Sequence, residues 1–243
     1  MSQMTPSPSA EAGRAVDAGQ GWSWISGGFE LFKKQPGMWI ALVVVMFVII
    51  LVLAFIPILG AIATFLLMPV FAGGLMVGCQ ALARGGPLEF AHLFAGFKTQ
   101  TANLIVLGAL GLGGWVVVMV PVLLIVGAGA FFGAMSGDAS GVAAMGGSFL
   151  IAWLLAMGLS VLLYMALWFA PALVVLRGVS PVAAVQQSFF ACLKNVVPFL
   201  IYGIIMLVLS IVATIPLGLG WLVLGPVVIA SVYTGYRDIY GDS

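Results

Sequence analysis

The chain has 243 residues, of which 63% are hydrophobic and 6% charged, and its mean hydropathy is +1.26. A soluble domain carries charge on about a quarter of its residues, so this composition excludes a water-soluble globule and leaves a membrane protein. The formal net charge of +1 offers no bulk attraction for a polyanion, and no nucleic-acid partner is expected.

Residues 1–20 are rich in Ser, Pro, Ala and Gly and lack the apolar core of a signal peptide. They predict a disordered cytoplasmic tail ahead of one membrane domain over 21–241. The stretch GWSWISGGFELFKK follows. At helical spacing it sets Trp22, Ile25, Phe29 and Phe32 against Ser23, Ser26, Glu30 and Lys33, the pattern of a short amphipathic helix lying in the membrane interface.

Between Lys34 and Arg84 no charged residue occurs, and this run holds two crossings of roughly 20 residues each. The break between them falls at IPILG, residues 56–60, giving spans over 38–55 and 61–82. Pro87 to Lys98 forms a second lead-in segment, with Phe90, Leu93, Phe94 and Phe97 opposite Glu89, His92 and Lys98. From Lys98 to Arg177 Asp138 is the sole charge. It lies within GAMSGDASGVAAMGGS, which reads as a loop between spans over 102–126 and 149–175. The third lead-in segment, 181–194, sets Val182, Val185, Phe189 and Leu193 against Gln186, Gln187 and Lys194. The uncharged run from Lys194 to Arg237 divides at IPLGLG into spans over 197–214 and 221–236.

The expected architecture is all-α: a polytopic membrane helical bundle of six transmembrane helices in three hairpins, each preceded by a short amphipathic interfacial helix. The repeat units are 21–84, 87–177 and 181–241. LFKKQPGMWI matches CLKNVVPFLI, and the downstream segments align Pro69 with Pro226, Gly74 with Ser231 and Gly78 with Gly235. All 8 Lys and Arg residues fall on the side that holds both termini, so the positive-inside rule places both termini in the cytoplasm.

Expected lipid contacts at the interface are Trp22, Phe29, Phe32, Lys33, Lys34, Phe90, Phe94, Phe97, Lys98, Phe189 and Lys194, with aromatic rings among acyl chains and lysines towards headgroups. Gly74, Gly78, Ser231 and Gly235 carry small-xxx-small spacing. They predict close helix packing between the second helices of the outer units, with an oligomer contact as the competing reading. Trp39, Trp153, Trp168, Trp221, Tyr202 and Tyr236 read as interfacial anchors and lipid-facing packing.

The segments AGQGWSWISGGFELFKKQPGMWI, MPVFAGGLMVGCQAL and LFAGFK resemble an uncharacterised family of proteobacterial inner-membrane proteins. More distantly, residues 169–200, with Pro171, Ser188 and Asn195, are similar to YciC-like membrane proteins and to the membrane domains attached to some glycerophosphodiester phosphodiesterases. The resemblance implies an inner-membrane location and transfers no activity.

The proposed spans contain no Asp, Glu, Lys, Arg or His, which weighs against proton coupling. His92 reads as a solvated surface residue near Glu89. Cys79 and Cys192 stand outside any CxxC or Cys/His grouping and read as buried small hydrophobes. Thr64, Asn103, Ser160, Tyr164, Ser210, Thr214 and Thr234 either satisfy one another and the backbone or line a cavity. No cofactor and no enzymatic activity are expected. The sequence points to a non-catalytic envelope scaffold or lipid-interacting factor whose partners are membrane lipids, with a second membrane protein or another copy as further possibilities. The alternative is a permease or translocator for a neutral or amphipathic molecule.

Overall fold

Uncharged apolar runs become long helices, because in lipid each backbone N–H and C=O must be satisfied within its own segment. The computed structural model describes residues 13–137 and 139–241. In chain order the elements are α1 (Gln20–Lys34), α2 (Pro36–Ala54), α3 (Leu59–Ala83), a 3-10 helix (Phe90–Phe97), α4 (Thr101–Ser136), α5 (Ala139–Leu167), α6 (Ala170–Arg177), α7 (Pro181–Lys194), α8 (Val196–Thr214) and α9 (Trp221–Tyr240). No strand occurs among the described residues.

Among the described residues, five helical stretches are long and apolar enough to cross a membrane: α2, α3, α4, the run Ser140–Arg177 and α8. The 20 residues of α9 include Arg237, Asp238, Tyr233, Tyr236 and Tyr240, which lower its apolarity below that of the other five. Asp138 and the first twelve residues of the expected tail lie outside the described residues. From Gly13 onward the tail is bonded to the domain, with the Arg14 N–H donating to Ile239 O at 2.8 Å.

The Gly/Ser-rich segment expected as a loop is largely helix. α4 has 36 residues and α5 has 29, so at 1.5 Å per residue α4 runs roughly 54 Å, well past the 19-residue α2. The small residues let the two helices approach. A side chain at Gly129 would strike Ser148, and one at Gly133 would meet Met145 and the Gly141 carbonyl. What reads as turn composition is therefore a helix interface.

The α2–α3 and α8–α9 turns repeat one another. Ile58 (φ 62°) and Leu217 (φ 55°) each follow an Ile-Pro pair and adopt positive φ. Leu59 N–H donates to Pro57 O at 2.7 Å, closing a tight three-residue turn around Ile58.

α2, α4 and α8 also begin alike, with an amide residue after a lysine-bearing segment. Gln35 (φ −149°, ψ 69°), Gln100 (φ −125°, ψ 34°) and Asn195 (φ −117°, ψ 33°) occupy the N-cap positions of α2, α4 and α8.

The 3-10 helix packs on α3, α7 on α5 and α6, and α1, from the start of the chain, on the last helix α9. The core lies at the basic end, where the C-terminal halves of α3 and α9, short α6 and the lead-in elements contribute buried residues such as Leu75, Leu93, Leu173, Ala191 and Tyr236. At the opposite end the helices expose apolar side chains, including Phe55, Val117, Leu124, Phe149 and Leu217.

Candidate lipid-binding cavity

Prolines interrupt the converging helices: Pro69 within α3, Pro121 within α4, Pro171 at the start of α6 and Pro226 within α9. Proline has no N–H for the residue four positions back, so Pro69 and Pro171 give no hydrogen bond to the carbonyls of Phe65 and Leu167. At the second site the break is wider, and Trp168 and Phe169 separate α5 from α6. Ser188 of α7 fills it. Its hydroxyl accepts the Phe169 N–H at 3.0 Å and donates to Met165 O at 2.8 Å. One buried side chain thus bridges the donor and acceptor of a missing helical hydrogen bond, as burial of both groups requires.

Above this level, towards the apolar end, α2, α3, α4, α5, α6 and α9 surround a cavity of about 490 Å³. Its walls are Met46 from α2, Phe65, Met68, Ala72 and Met76 from α3, Leu107 and Trp115 from α4, Tyr164 and Leu167 from α5, Pro171 from α6 and Val228 and Val232 from α9, with Thr64 at its rim. Thr64 Oγ1 donates to Gly60 O at 2.8 Å, so the lining is almost wholly apolar. The volume is that of a small-molecule site. A second cavity of about 320 Å³ lies on the other flank of α5, between Val161, Met165, Val196 and Leu200, and Tyr164 and Trp168 belong to both walls. Trp168 makes edge contacts with Phe199 and Tyr202 of α8 at 5.9 and 5.8 Å between ring centroids.

The basic end is fastened by polar contacts. Arg14 pairs with Asp238 at 2.8 Å, and Trp24 Nε1 donates to Asp238 Oδ2 at 3.0 Å. Lys34 Nζ donates to Leu82 O at 2.7 Å, and Arg177 Nη2 donates to Tyr240 O at 2.5 Å. Gln35 Oε1 accepts the Leu88 N–H and Asn195 Oδ1 accepts the Val16 N–H. Burial pushes the Cys192 thiol up to about 12, against a smaller lowering by a hydrogen bond to Ser188.

The residues expected at the membrane interface divide. Trp22, Phe29, Phe90 and Phe97 are exposed, as are Lys33, Lys34, Lys98 and Lys194, and Phe94 and Phe189 are half-buried. Lys33 Nζ sits 5.3 Å from the centre of the Phe29 ring and pairs with Glu30. Phe32 belongs to the protein core and is 6% exposed, so its contacts are with protein. The buried face of α1 is Gly21, Trp24, Ile25, Gly28, Leu31 and Phe32, and that of α7 is Pro181, Ala184, Ser188, Ala191 and Cys192. Small residues seat both helices, and on α1 they are flanked by the large apolar side chains of Trp24, Ile25, Leu31 and Phe32. The second lead-in element is a 3-10 helix, held at its start by Glu89 N–H donating to His92 Nδ1 at 2.9 Å. His92 is therefore a capping residue and not a freely solvated one.

The small-residue pairs also meet partners other than the expected ones. A side chain at Gly74 would strike His92 O and Leu93 O, and one at Gly78 would strike Leu88, so these glycines seat the 3-10 helix. Ser231 lies against Gly28 of α1, its hydroxyl 2.8 Å from that of Tyr202, and Gly235 faces Trp24 and Phe169. Trp39, Tyr202 and Tyr236 are buried in the core and are not interfacial anchors, with Trp39 Nε1 donating to Leu31 O at 3.3 Å. The bridging role of Ser188 has one sequence signal, a serine on the small-residue face of a helix preceded by a Pro-containing break.

Compared with known proteins, the chain is 28% identical over 207 residues to a probable inner membrane protein of Burkholderia thailandensis, the match covering 81% of this chain and 75% of that protein. No family model and no solved structure matches the chain. The likeness to YciC-like proteins and to phosphodiesterase membrane domains has no support from these comparisons. Five membrane-capable helices and similarity to a probable inner-membrane protein make this an integral membrane protein.

Proposed function

We propose that the chain is a non-catalytic, lipid-interacting protein of the bacterial inner membrane, built of six spans in three hairpins with its basic end and both termini in the cytoplasm. The observation that carries this reading is the half-open apolar cavity of about 490 Å³ lined by α2, α3, α4, α5, α6 and α9. A cavity of that size among membrane helices, almost without polar lining, suits an apolar ligand drawn from the surrounding medium. The sixth span is α9, whose run from Trp221 to Tyr233 carries no charge. The one-sided lysines and arginines support the orientation, and the exposed rings of Trp22, Phe29, Phe90 and Phe97 on the lead-in elements suit a seat among lipid headgroups.

Holding a ligand fits better than passing one. The basic end of the cavity is closed by Leu75, Leu173 and Tyr236, each buried to 1% exposure or less, and a permease would have to open this packed layer. Native mass spectrometry of the protein extracted in mild detergent tests the reading: retained lipid is expected at defined stoichiometry, and its absence across gentle detergents overturns it. For the orientation, a reporter active only outside the cytoplasm is expected to work when inserted at Leu217 and to fail at Gly86. The reverse pattern refutes the assignment.

A further inference from the structure

Resting on that lipid-interacting reading, we propose that a single diacyl phospholipid straddles α5, with one acyl chain in the central cavity and the other in the cavity on the α8 flank. The two cavities, about 490 and 320 Å³, share Tyr164 and Trp168 as a common wall. Tyr164 lies in the last turn of α5 and Trp168 directly follows its end, so their rings form a ridge with an apolar trough on each side.

The route in from the bilayer lies beside this ridge. α5 packs on α4 and, at its foot, on α6 and α7, while among the described residues it makes no extended backbone contact with α8. The gap between the second and third hairpins is filled instead by side chains, with Trp168 against Phe199 and Tyr202. Tyr164 is 56% exposed at the mouth and stands edge-on to Trp115 of the central cavity, 6.1 Å between ring centroids. An occupant with one hydrocarbon chain would leave one trough vacant in an apolar medium. Two chains joined at one headgroup fill both and keep the polar end outside the ridge. The absence of charged lining residues in either cavity leaves the headgroup uncommitted and assigns recognition to the chains.

The test uses the full chain in vesicles of phosphatidylethanolamine and phosphatidylglycerol containing phosphatidylethanolamine with a diazirine at the end of one acyl chain. After illumination, mass spectrometry is expected to find label at Met76 and Leu107. Both line the cavity and are at most 4% exposed, so bulk lipid beside the protein does not reach them. Ala72→Trp, which fills the cavity, is expected to reduce this label by about tenfold, equivalent to about 1.4 kcal/mol of lost binding. Val208→Trp on the outer face should leave it unchanged. Label confined to outward positions such as Val48 and Leu207 in the wild-type protein overturns the site. If lipid is still retained in native mass spectrometry under that outcome, the broader reading stands without it; if none is retained, both fall. Retention of two chains is checked separately, because a lysophospholipid probe is expected to label Met76 while competing poorly with its diacyl counterpart. Equal competition overturns the straddling arrangement.

Discussion

Gln35 and Asn195 hold the N-cap positions of α2 and α8, and each accepts a backbone N–H from a segment far off in the chain, Leu88 at 2.7 Å and Val16 at 2.8 Å. The amide of Asn195 ties α8 to the segment that precedes α1. Its Nδ2 donates to Arg14 O at 3.0 Å and to Ala191 O at 2.9 Å. Asn195→Leu removes these bonds and leaves buried backbone groups unpaired, at about 1–3 kcal/mol each. Trypsin is expected to cleave after Arg14 about ten- to a hundredfold faster in this variant, since cleavage follows the population of the open form. Gln35→Leu, which loosens Leu88 instead, should leave the rate at Arg14 unchanged.

Ser188 is 0% exposed and bridges the break between Met165 and Phe169. Ser188→Ala strands a buried N–H and a buried C=O, so a loss of about 1–3 kcal/mol is expected, read as a lower Tm in detergent micelles. Ser26→Ala is the control, because the Ser26 hydroxyl bonds Ser23 O at an exposed position. Equal Tm for the two variants would show that the bridge contributes nothing.

Ile58 adopts φ 62° and ψ −62°, a conformation that costs an L-residue about 1–3 kcal/mol and a β-branched one most of all. Ile58→Gly is expected to raise Tm by relieving that strain, and Leu217→Gly to act in the same direction. The gain is reduced by glycine's greater freedom in the unfolded chain, so a net change of about 1 kcal/mol is expected. Ile62→Gly, placed in the regular helix that follows, should lower Tm.

Cys192 is 2% exposed, and burial of its thiol raises its pKa to about 12. The thiolate is the reactive species, so alkylation by a maleimide is expected to be slow at pH 7 to 8 and to accelerate as pH rises towards 12. Because the folded-state pKa lies above the ordinary value for a thiol, the folded form retains its proton where the unfolded form has lost it. The stabilising contribution is full below the unfolded pKa and is lost as pH approaches 12. Rapid labelling of Cys192 at neutral pH in the folded protein would contradict this environment.

Much of the fold is readable in the chain, for a definite reason. Hydropathy and charge are sums over local residues, and a bilayer responds to those sums. The uncharged runs therefore mark α2, α3 and α8 to within a few residues, and the Ile-Pro pairs at 56–57 and 215–216 mark the turns between hairpin arms. Gly133, Gly141 and Ser148 fail the same test, because small polar composition scores as loop whether it faces water or a neighbouring helix.

By itself, the sequence determined that this chain belongs in a membrane, where α2, α3, α8 and α9 begin and turn, and that its cations gather at one end. Only the tertiary structure decided that the lead-in elements dock on α3, α5, α6 and α9, that Gly28, Gly74 and Ser188 make those seats, and that a cavity opens around Pro69 and Pro171. Such features depend on how closely backbones far apart in the chain approach one another. That distance is set by missing side-chain atoms, which no hydropathy pattern registers.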